Sequence, residues 1–324
     1  MKPTALITGV AGQDGSYLAE LLVGEGYRVI GTIRPGAPRE PANLASVASR
    51  LALIELDLDD EQAVGAAIAA HAPDEVYNLA AMSFSPDCWK HPRQAGNELG
   101  LRVVTLLEAI RQERPRCRFF QAGSSEMFGH ATPPPQSADT PLCPASPYGA
   151  AKAYAHALSR IYRERHGMHV VNGILFPHES PRRGRHFLTR KVTSHAARIA
   201  RAGGGEVVLG DLDARRDWSF AGDVARGMWL ALQREAADDY VFASGETHSV
   251  REFCASAFTR LGLDYRDHVR IDPTLIRVEP GLICGEAART RALLGWHART
   301  TFTDLVEMMV DADVAALDER KDEA

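Results

Sequence analysis

The 324-residue chain has no run of about 18 apolar residues, the least that spans a bilayer as a helix, so the sequence predicts no membrane segment. Its first dozen residues lack a charged stretch followed by a long apolar one and a cleavage site, and read directly into a strand. Cysteine is sparse and scattered: Cys88, Cys117, Cys143, Cys254 and Cys284 form no CxxC pair. That argues against zinc and against a disulfide framework, and fits a reducing cytoplasm. There is no excess of positive charge either; a net charge of −5 speaks against a nucleic-acid binder. Repeats and low-complexity tracts are absent. What is present, 45% hydrophobic and 24% charged residues, is the composition of a folded globular protein, and the length predicts two lobes.

The first half alternates short β-branched runs with helical stretches, the pattern of a parallel sheet covered on both faces. Strands are predicted at 4–10, 28–34, 51–58, 74–81, 117–125 and 169–176, with helices at 16–27, 61–71, 97–113 and 147–167. Right-handed crossovers between such strands give an α/β fold with a Rossmann-type doubly wound sheet. After Phe176 the rhythm breaks into Gly- and Arg-rich segments, although 219–235 still reads as a helix and 240–245 as a strand. The expected division is a dinucleotide-binding domain over 1–177, with a returning segment at about 216–245, and a smaller substrate-binding lobe mainly from 178–324.

Between the first strand and first helix stand Gly9, Gly12 and Gly15 in GxxGxxG spacing, with Gln13 and Asp14 among them. Glycines there allow a tight turn and close backbone approach to a pyrophosphate, and the helix N-terminus offers N–H groups and a positive dipole end. A glycine triplet alone is also an ordinary turn, but its place between strand and helix is the one a dinucleotide site requires. The second strand ends in Ile33–Arg34–Pro35 without the acidic residue that accepts from a ribose 2′-OH, so Arg34 predicts pairing with a 2′-phosphate and NADP as cofactor. Asp57 and Leu58 close the third strand, where Asp57 can accept from an adenine amino group.

Tyr148 and Lys152 are four residues apart on one face of a predicted helix that starts at Pro147. A tyrosine is a poor base at neutral pH; a lysine cation and a positively charged nicotinamide ring favour its phenolate. Ser124, at the end of the fifth strand, can donate to the same substrate oxygen that Tyr148 deprotonates. Glu126 is more informative, because abstraction of a proton alpha to a carbonyl needs a further base that simple oxidation does not. Segment 182–191 holds Arg182, Arg183, Arg185, Arg190 and Lys191, and Arg215 and Arg216 follow, fork-shaped and cationic donors suited to a diphosphate; a solvated basic loop is the alternative.

Taken together, these segments resemble the GDP-mannose 4,6-dehydratases. The likeness runs through Ile7–Thr8–Gly9, Gly12–Glu20, Val76–Ala81, Ser146–Lys152, Asn172–Phe176, His178–Gly184, Thr189–Lys191, Leu212–Trp218 and His248–Phe253. It implies an NADP-dependent, redox-neutral lyase of the extended short-chain dehydrogenase/reductase type, with Ser124, Glu126, Tyr148 and Lys152 catalytic. Leu79, Ala80 and Ala81 would join the cofactor site. Met82, Ser83, Glu179, Arg183, Lys191, Arg216, Arg277 and Glu279 would meet a GDP-sugar, with Lys191 and Arg216 near its diphosphate. A cytoplasmic homodimer or homotetramer is implied, with no nucleic-acid or membrane partner.

The sequence departs from the family pattern at several points. Ser124 replaces a threonine, Pro177 an asparagine and Met82 a glutamine; Arg277 is displaced by one position; the Ser-rich stretch after Arg34 has become Pro35–Pro41; and the loop Phe84–Trp89 differs in part. On the same fold a GDP-sugar 4-epimerase or 4-ketoreductase stays open, as does a non-catalytic nucleotide-sugar binding protein, which would have no need of the complete four-residue set.

Overall fold

The computed structural model describes residues 2–38, 40–129, 133–275 and 282–322. In chain order it contains β1 (Thr4–Thr8), α1 (Gln13–Gly24), β2 (Arg28–Ile33), β3 (Leu51–Glu55), α2 (Glu61–His71), β4 (Glu75–Asn78), α3 (Ser85–Lys90), α4 (Pro92–Gly96), α5 (Arg102–Glu113), β5 (Arg118–Ala122), α6 (Pro147–His166) and β6 (Val170–Leu175). There follow β7 (His178–Glu179), α7 (Leu188–Ala202), β8 (Val207–Leu209), β9 (Arg215–Arg216), β10 (Ser219–Phe220), α8 (Ala221–Leu232), β11 (Asp239–Phe242), β12 (His248–Ser249), α9 (Val250–Thr259), β13 (Val269–Ile271), α10 (Ala288–Leu294) and α11 (Phe302–Asp322).

Seven strands form one parallel sheet in the order β11-β6-β5-β4-β1-β2-β3. The order reverses at β1, which pairs with both β2 and β4, and this leaves a crevice at the carboxyl ends of β1 and β4. One face is closed by α1 and α8 through Leu18, Leu22, Met228 and Leu232. The other is closed by α2, α5 and α6 through Val64, Ile68, Leu106, Ile110 and Ala155. A separate apolar cluster joins α7, α9 and α11 through Val192, Ile199, Phe253, Phe258, Leu305 and Val310.

β3, β4 and β5 stop short of the predicted strands, at Glu55, Asn78 and Ala122. Leu56–Leu58, Leu79–Ala81 and Gly123–Ser125 therefore leave the sheet as loops around the crevice. The helix predicted from residue 97 opens as a π-helical segment, Asn97–Leu101, before becoming α at Arg102. Such widened turns are rare inside helices and frequent beside functional sites. Two short helices, α3 and α4, also fill the stretch before it.

α6 has well-defined ends. Ser146 accepts from the Gly149 N–H at 3.0 Å, Pro147 occupies the first turn, and Gly167 closes the helix in the left-handed region (φ 63°). No described helix is long and apolar enough to cross a membrane, and no described group of three or more His, Cys, Asp or Glu side chains is placed to hold a metal ion.

Candidate active site

The crevice is drawn together by buried polar groups at the strand ends. Thr8 Oγ1 accepts from the Leu79 and Ala80 N–H groups at 3.0 and 3.1 Å and donates to Asn78 Oδ1 at 2.9 Å. Asn78 in turn donates to Gln121 at 2.8 Å, linking β1, β4 and β5. Gly9 follows Thr8 with φ 68°, and a Cβ there would lie 2.9 Å from the Ala80 backbone. Only glycine allows the turn to approach the β4 loop this closely. Gly12 precedes α1 with no side-chain cap on the helix, so the first-turn N–H groups face the crevice as an anion cradle. This arrangement fits the pyrophosphate of a dinucleotide.

The first turn of α1 is also tied to β7. Gln13 donates to the His178 carbonyl at 3.0 Å and accepts from Ser180 Oγ at 2.8 Å. His178 Nε2 lies 2.9 Å from Asp14 Oδ2, and its Nδ1 lies 2.7 Å from the Phe176 carbonyl. Both ring nitrogens face acceptors, which describes an imidazolium. Burial opposes both charges of the pair, but mutual attraction prevails: it lowers Asp14 from 3.8 to about 2 and raises His178 above 6.5. No spacing in the sequence marks His178 for this role, although it begins the segment His178–Gly184 that resembles the family.

The two shifts set a pH window. The His178 contribution is complete below 6.5 and fades as pH rises through its raised value. The Asp14 contribution is complete above 3.8 and fades as pH falls towards 2. Replacing His178 by Gln should therefore cost most between those two ordinary values, roughly 2 kcal/mol. Denaturant melts across pH test this: the gap from wild type should narrow below about pH 3 and again in alkali.

Around the opposite end of the dinucleotide crevice, Asp57 is exposed and Leu58 is buried against α2 and α5. Arg34 follows β2 on the surface, with 63% of its side chain exposed, but one Nη donates at 2.7 Å to Glu98. Glu98 is buried in the π-helical segment and also accepts from Gln94 at 2.8 Å. Arg102 makes a bidentate pair with Asp59 at 2.7 Å and approaches Glu98 at 3.6 Å. An acidic partner that the second strand lacks is thus delivered from 64 residues away.

At the centre of the crevice Ser124, Glu126, Tyr148 and Lys152 converge. Ser124 Oγ caps the turn Ser125–Met127 by accepting from the Glu126 N–H at 3.2 Å. That turn touches α6 so closely that a Cβ on Gly149 would lie 2.4 Å from the Glu126 carbonyl. Lys152 Nζ donates to the Ala122 carbonyl at 2.7 Å and lies 5.9 Å from the Tyr148 ring centre; burial lowers its ammonium to about 8. Burial and the nearby Glu126 push the Tyr148 phenol well up, and the leading opposing influences are the Ser124 hydroxyl and the Arg183 charge. Glu126 Oε2 accepts from Ser85 Oγ and Ser146 Oγ, both at 3.0 Å. Neither of these serines was a site candidate on sequence grounds.

On the far side, the cationic segment is largely engaged. Arg182 pairs with Glu20 at 2.6 Å and stacks on Tyr17, and Arg190 pairs with buried Asp313 at 2.6 Å. Arg183 lies over the Phe187 ring at 3.6 Å and 3.3 Å from Glu179, yet its buried Nε has no aligned hydrogen-bond partner. Lys191 Nζ donates to the Val208 carbonyl at 2.7 Å and Arg216 to the Arg215 carbonyl at 2.7 Å. Met82 packs in an apolar cluster with Ala81, Cys88 and Tyr148, while Ser83 is exposed. Arg277 and Glu279 lie outside the described residues.

A phenol one helical turn from a lysine, beneath a doubly wound sheet whose first turn is built for a pyrophosphate, places the protein among the extended short-chain dehydrogenase/reductases. A profile of the family described as GDP-mannose 4,6 dehydratase matches residues 6–309. The chain belongs to that family. It is 43% identical over 323 residues to GDP-mannose 4,6 dehydratase 1 of Arabidopsis thaliana, covering 96% of this chain and 89% of that one. With the GDP-mannose 4,6-dehydratase of Sinorhizobium fredii it shares 39% identity over 343 residues and 98% of each chain. Among solved structures, the UDP-glucose 4-epimerase of Thermus thermophilus in complex with NAD superposes with a TM-score of 0.81 at 25% identity, over 97% of this chain and 99% of that one.

Proposed function

We propose that this enzyme dehydrates GDP-mannose to the 4-keto-6-deoxy sugar nucleotide, with no net redox change and with NADP bound in the crevice. The observation that carries the reading is Glu126. A carboxylate held beside Tyr148 supplies the second base that an elimination needs and that a 4-epimerase or 4-ketoreductase does not. Family membership supplies the substrate class.

A nicotinamide bound beside Tyr148 would take up the hydride from C4 and give it back at C6 after water is lost, which leaves no net redox change. The protein's own groups divide the proton work. Tyr148 takes the proton of the sugar C4 hydroxyl, with Ser124 donating to the same oxygen and the Lys152 charge supporting the phenolate. With C4 a ketone, C5–H becomes acidic; Glu126 removes that proton and helps expel the C6 hydroxyl as water. Arg183, held beside Glu179 and over the Phe187 ring with its Nε lacking an aligned hydrogen bond, is a cationic anchor for the anionic end of the substrate. Lys191 and Arg216 meet the diphosphate of GDP by releasing their present backbone carbonyls, and Met82, Ser83 and Glu179 line the sugar side. The sheet with α8 and β11 serves the cofactor and the α7–α9–α11 cluster the sugar nucleotide.

NADP is preferred over NAD because the residue that follows β2, Arg34, is a cation. Arg34 has five N–H donors, so its pairing with Glu98 leaves others for a 2′-phosphate. The nucleotide released on denaturing the protein should be NADP(H); release of NAD(H) alone would defeat the assignment. The free cysteines fit a reducing cytoplasm. Exposed Trp89, Leu101, Tyr154 and Ile161, gathered on α3, the π-helical segment and α6, suit a homodimer or homotetramer face.

Mass spectrometry of GDP-mannose incubated with the protein in D₂O tests the reaction. Loss of one water with deuterium at C5 is expected, because elimination breaks C5–H and solvent rebuilds it. An isomeric, unlabelled product would establish the epimerase instead.

A further inference from the structure

Glu126 is anchored by a loop that the catalytic set does not include. Ser85 stands at the start of α3 and reaches 41 residues along the chain to donate to Glu126 Oε2 at 3.0 Å. Ser146 donates to the same oxygen at 3.0 Å, but its own oxygen also accepts from Gly149 and so caps α6. Ser85 has no such second duty in the structure of α3, which has no side-chain cap. Two donors converging on one carboxylate oxygen restrict the orientation of the Glu126 side chain.

The loop that carries Ser85 is itself held across the crevice. The neighbouring Phe84 ring meets His186 edge-on at 4.7 Å and Phe187 at 5.3 Å. Phe187 also carries the Arg183 guanidinium on its face at 3.6 Å. The position of the sugar-side loop is thereby joined on one side to the anion-binding segment and on the other to the base. Phe84–Trp89 is one of the stretches in which the sequence departs in part from the family pattern.

We infer that Ser85 is a positioning residue for the elimination step: its hydroxyl orients Glu126 towards C5–H without taking part in oxidation at C4. The inference rests on Glu126 being the base. It predicts a step-specific defect that general loosening of the structure would not produce. Ser85→Ala should slow water loss about tenfold, as expected for losing one hydrogen bond to a charged group, with the affinity for GDP unchanged. Because C4 oxidation continues, reduced-nicotinamide absorbance should accumulate transiently, which the wild type would show less. Ser85→Thr keeps the hydroxyl and should restore water loss to within a few-fold.

Rapid-mixing absorbance and product mass spectrometry, run on Ser85→Ala, Ser85→Thr and Glu126→Gln in parallel, decide the matter. Wild-type water loss in Ser85→Ala alongside a stalled Glu126→Gln overturns the Ser85 inference alone. Equal slowing of both steps, or failure of Ser85→Thr to rescue, also overturns it, because the effect would then be structural. Wild-type turnover in Glu126→Gln overturns the base assignment itself.

Discussion

Tyr148→Phe should leave the protein folded and reduce product formation by on the order of 10²-fold or more, the usual loss when a positioned acid–base group is removed. The substitution deletes one oxygen from a half-buried ring and keeps the packing of Tyr148 in the apolar cluster with Met82, Ala81 and Cys88. The lost contact with Ser124 is worth about 1 kcal/mol, a small share of the stability of a domain. A circular-dichroism melt beside a mass-spectrometric product assay separates the two effects. Activity within a few-fold of wild type would remove Tyr148 from the mechanism.

Glu126→Gln should have the second large effect, of a different kind. Glutamine preserves size and can still accept from Ser85 and Ser146, but it cannot take a proton. Oxidation at C4 should proceed, visible as reduced-nicotinamide absorbance, while water loss falls by roughly 10²-fold or more. In D₂O, deuterium at C5 should fall in step. A Glu126→Gln enzyme that forms product at the wild-type rate would end the dehydratase mechanism drawn above and leave a 4-epimerase as the better account of the same fold.

What could be read in the sequence was local. The glycine turn between β1 and α1 is dictated by residues adjacent in the chain, and the Tyr148–Lys152 spacing by one helical turn. Ser124 and Glu126 were readable because they follow a strand whose end must face the crevice. The features that escaped depend on pairs far apart. His178 reaches Asp14 across 164 residues, and Glu98 reaches Arg34 across 64. Neither has a spacing to detect. Ser85 looked like one polar residue in an irregular loop, and only the folded position of α3 brings it to Glu126. The π-helical turn at Asn97–Leu101 was hidden because its apolar pattern is compatible with an ordinary helix; the added residue per turn shows only in the backbone.

The order in which the sheet is completed has a consequence for biosynthesis. β6 is the sixth strand made, but its outer neighbour β11 begins only at Asp239, after α7 and α8 have been synthesised. Until then a nascent chain carries β6 as an open edge, and the apolar face that α8 covers through Met228 and Leu232 is bare until that helix is made. An uncovered apolar strand edge invites pairing with another chain. At a ribosomal rate of about 5–20 residues per second, the interval between β6 and β11 lasts on the order of several seconds. The interval belongs to the chain's routing, so a fragment ending near residue 177 would remain in that exposed condition permanently.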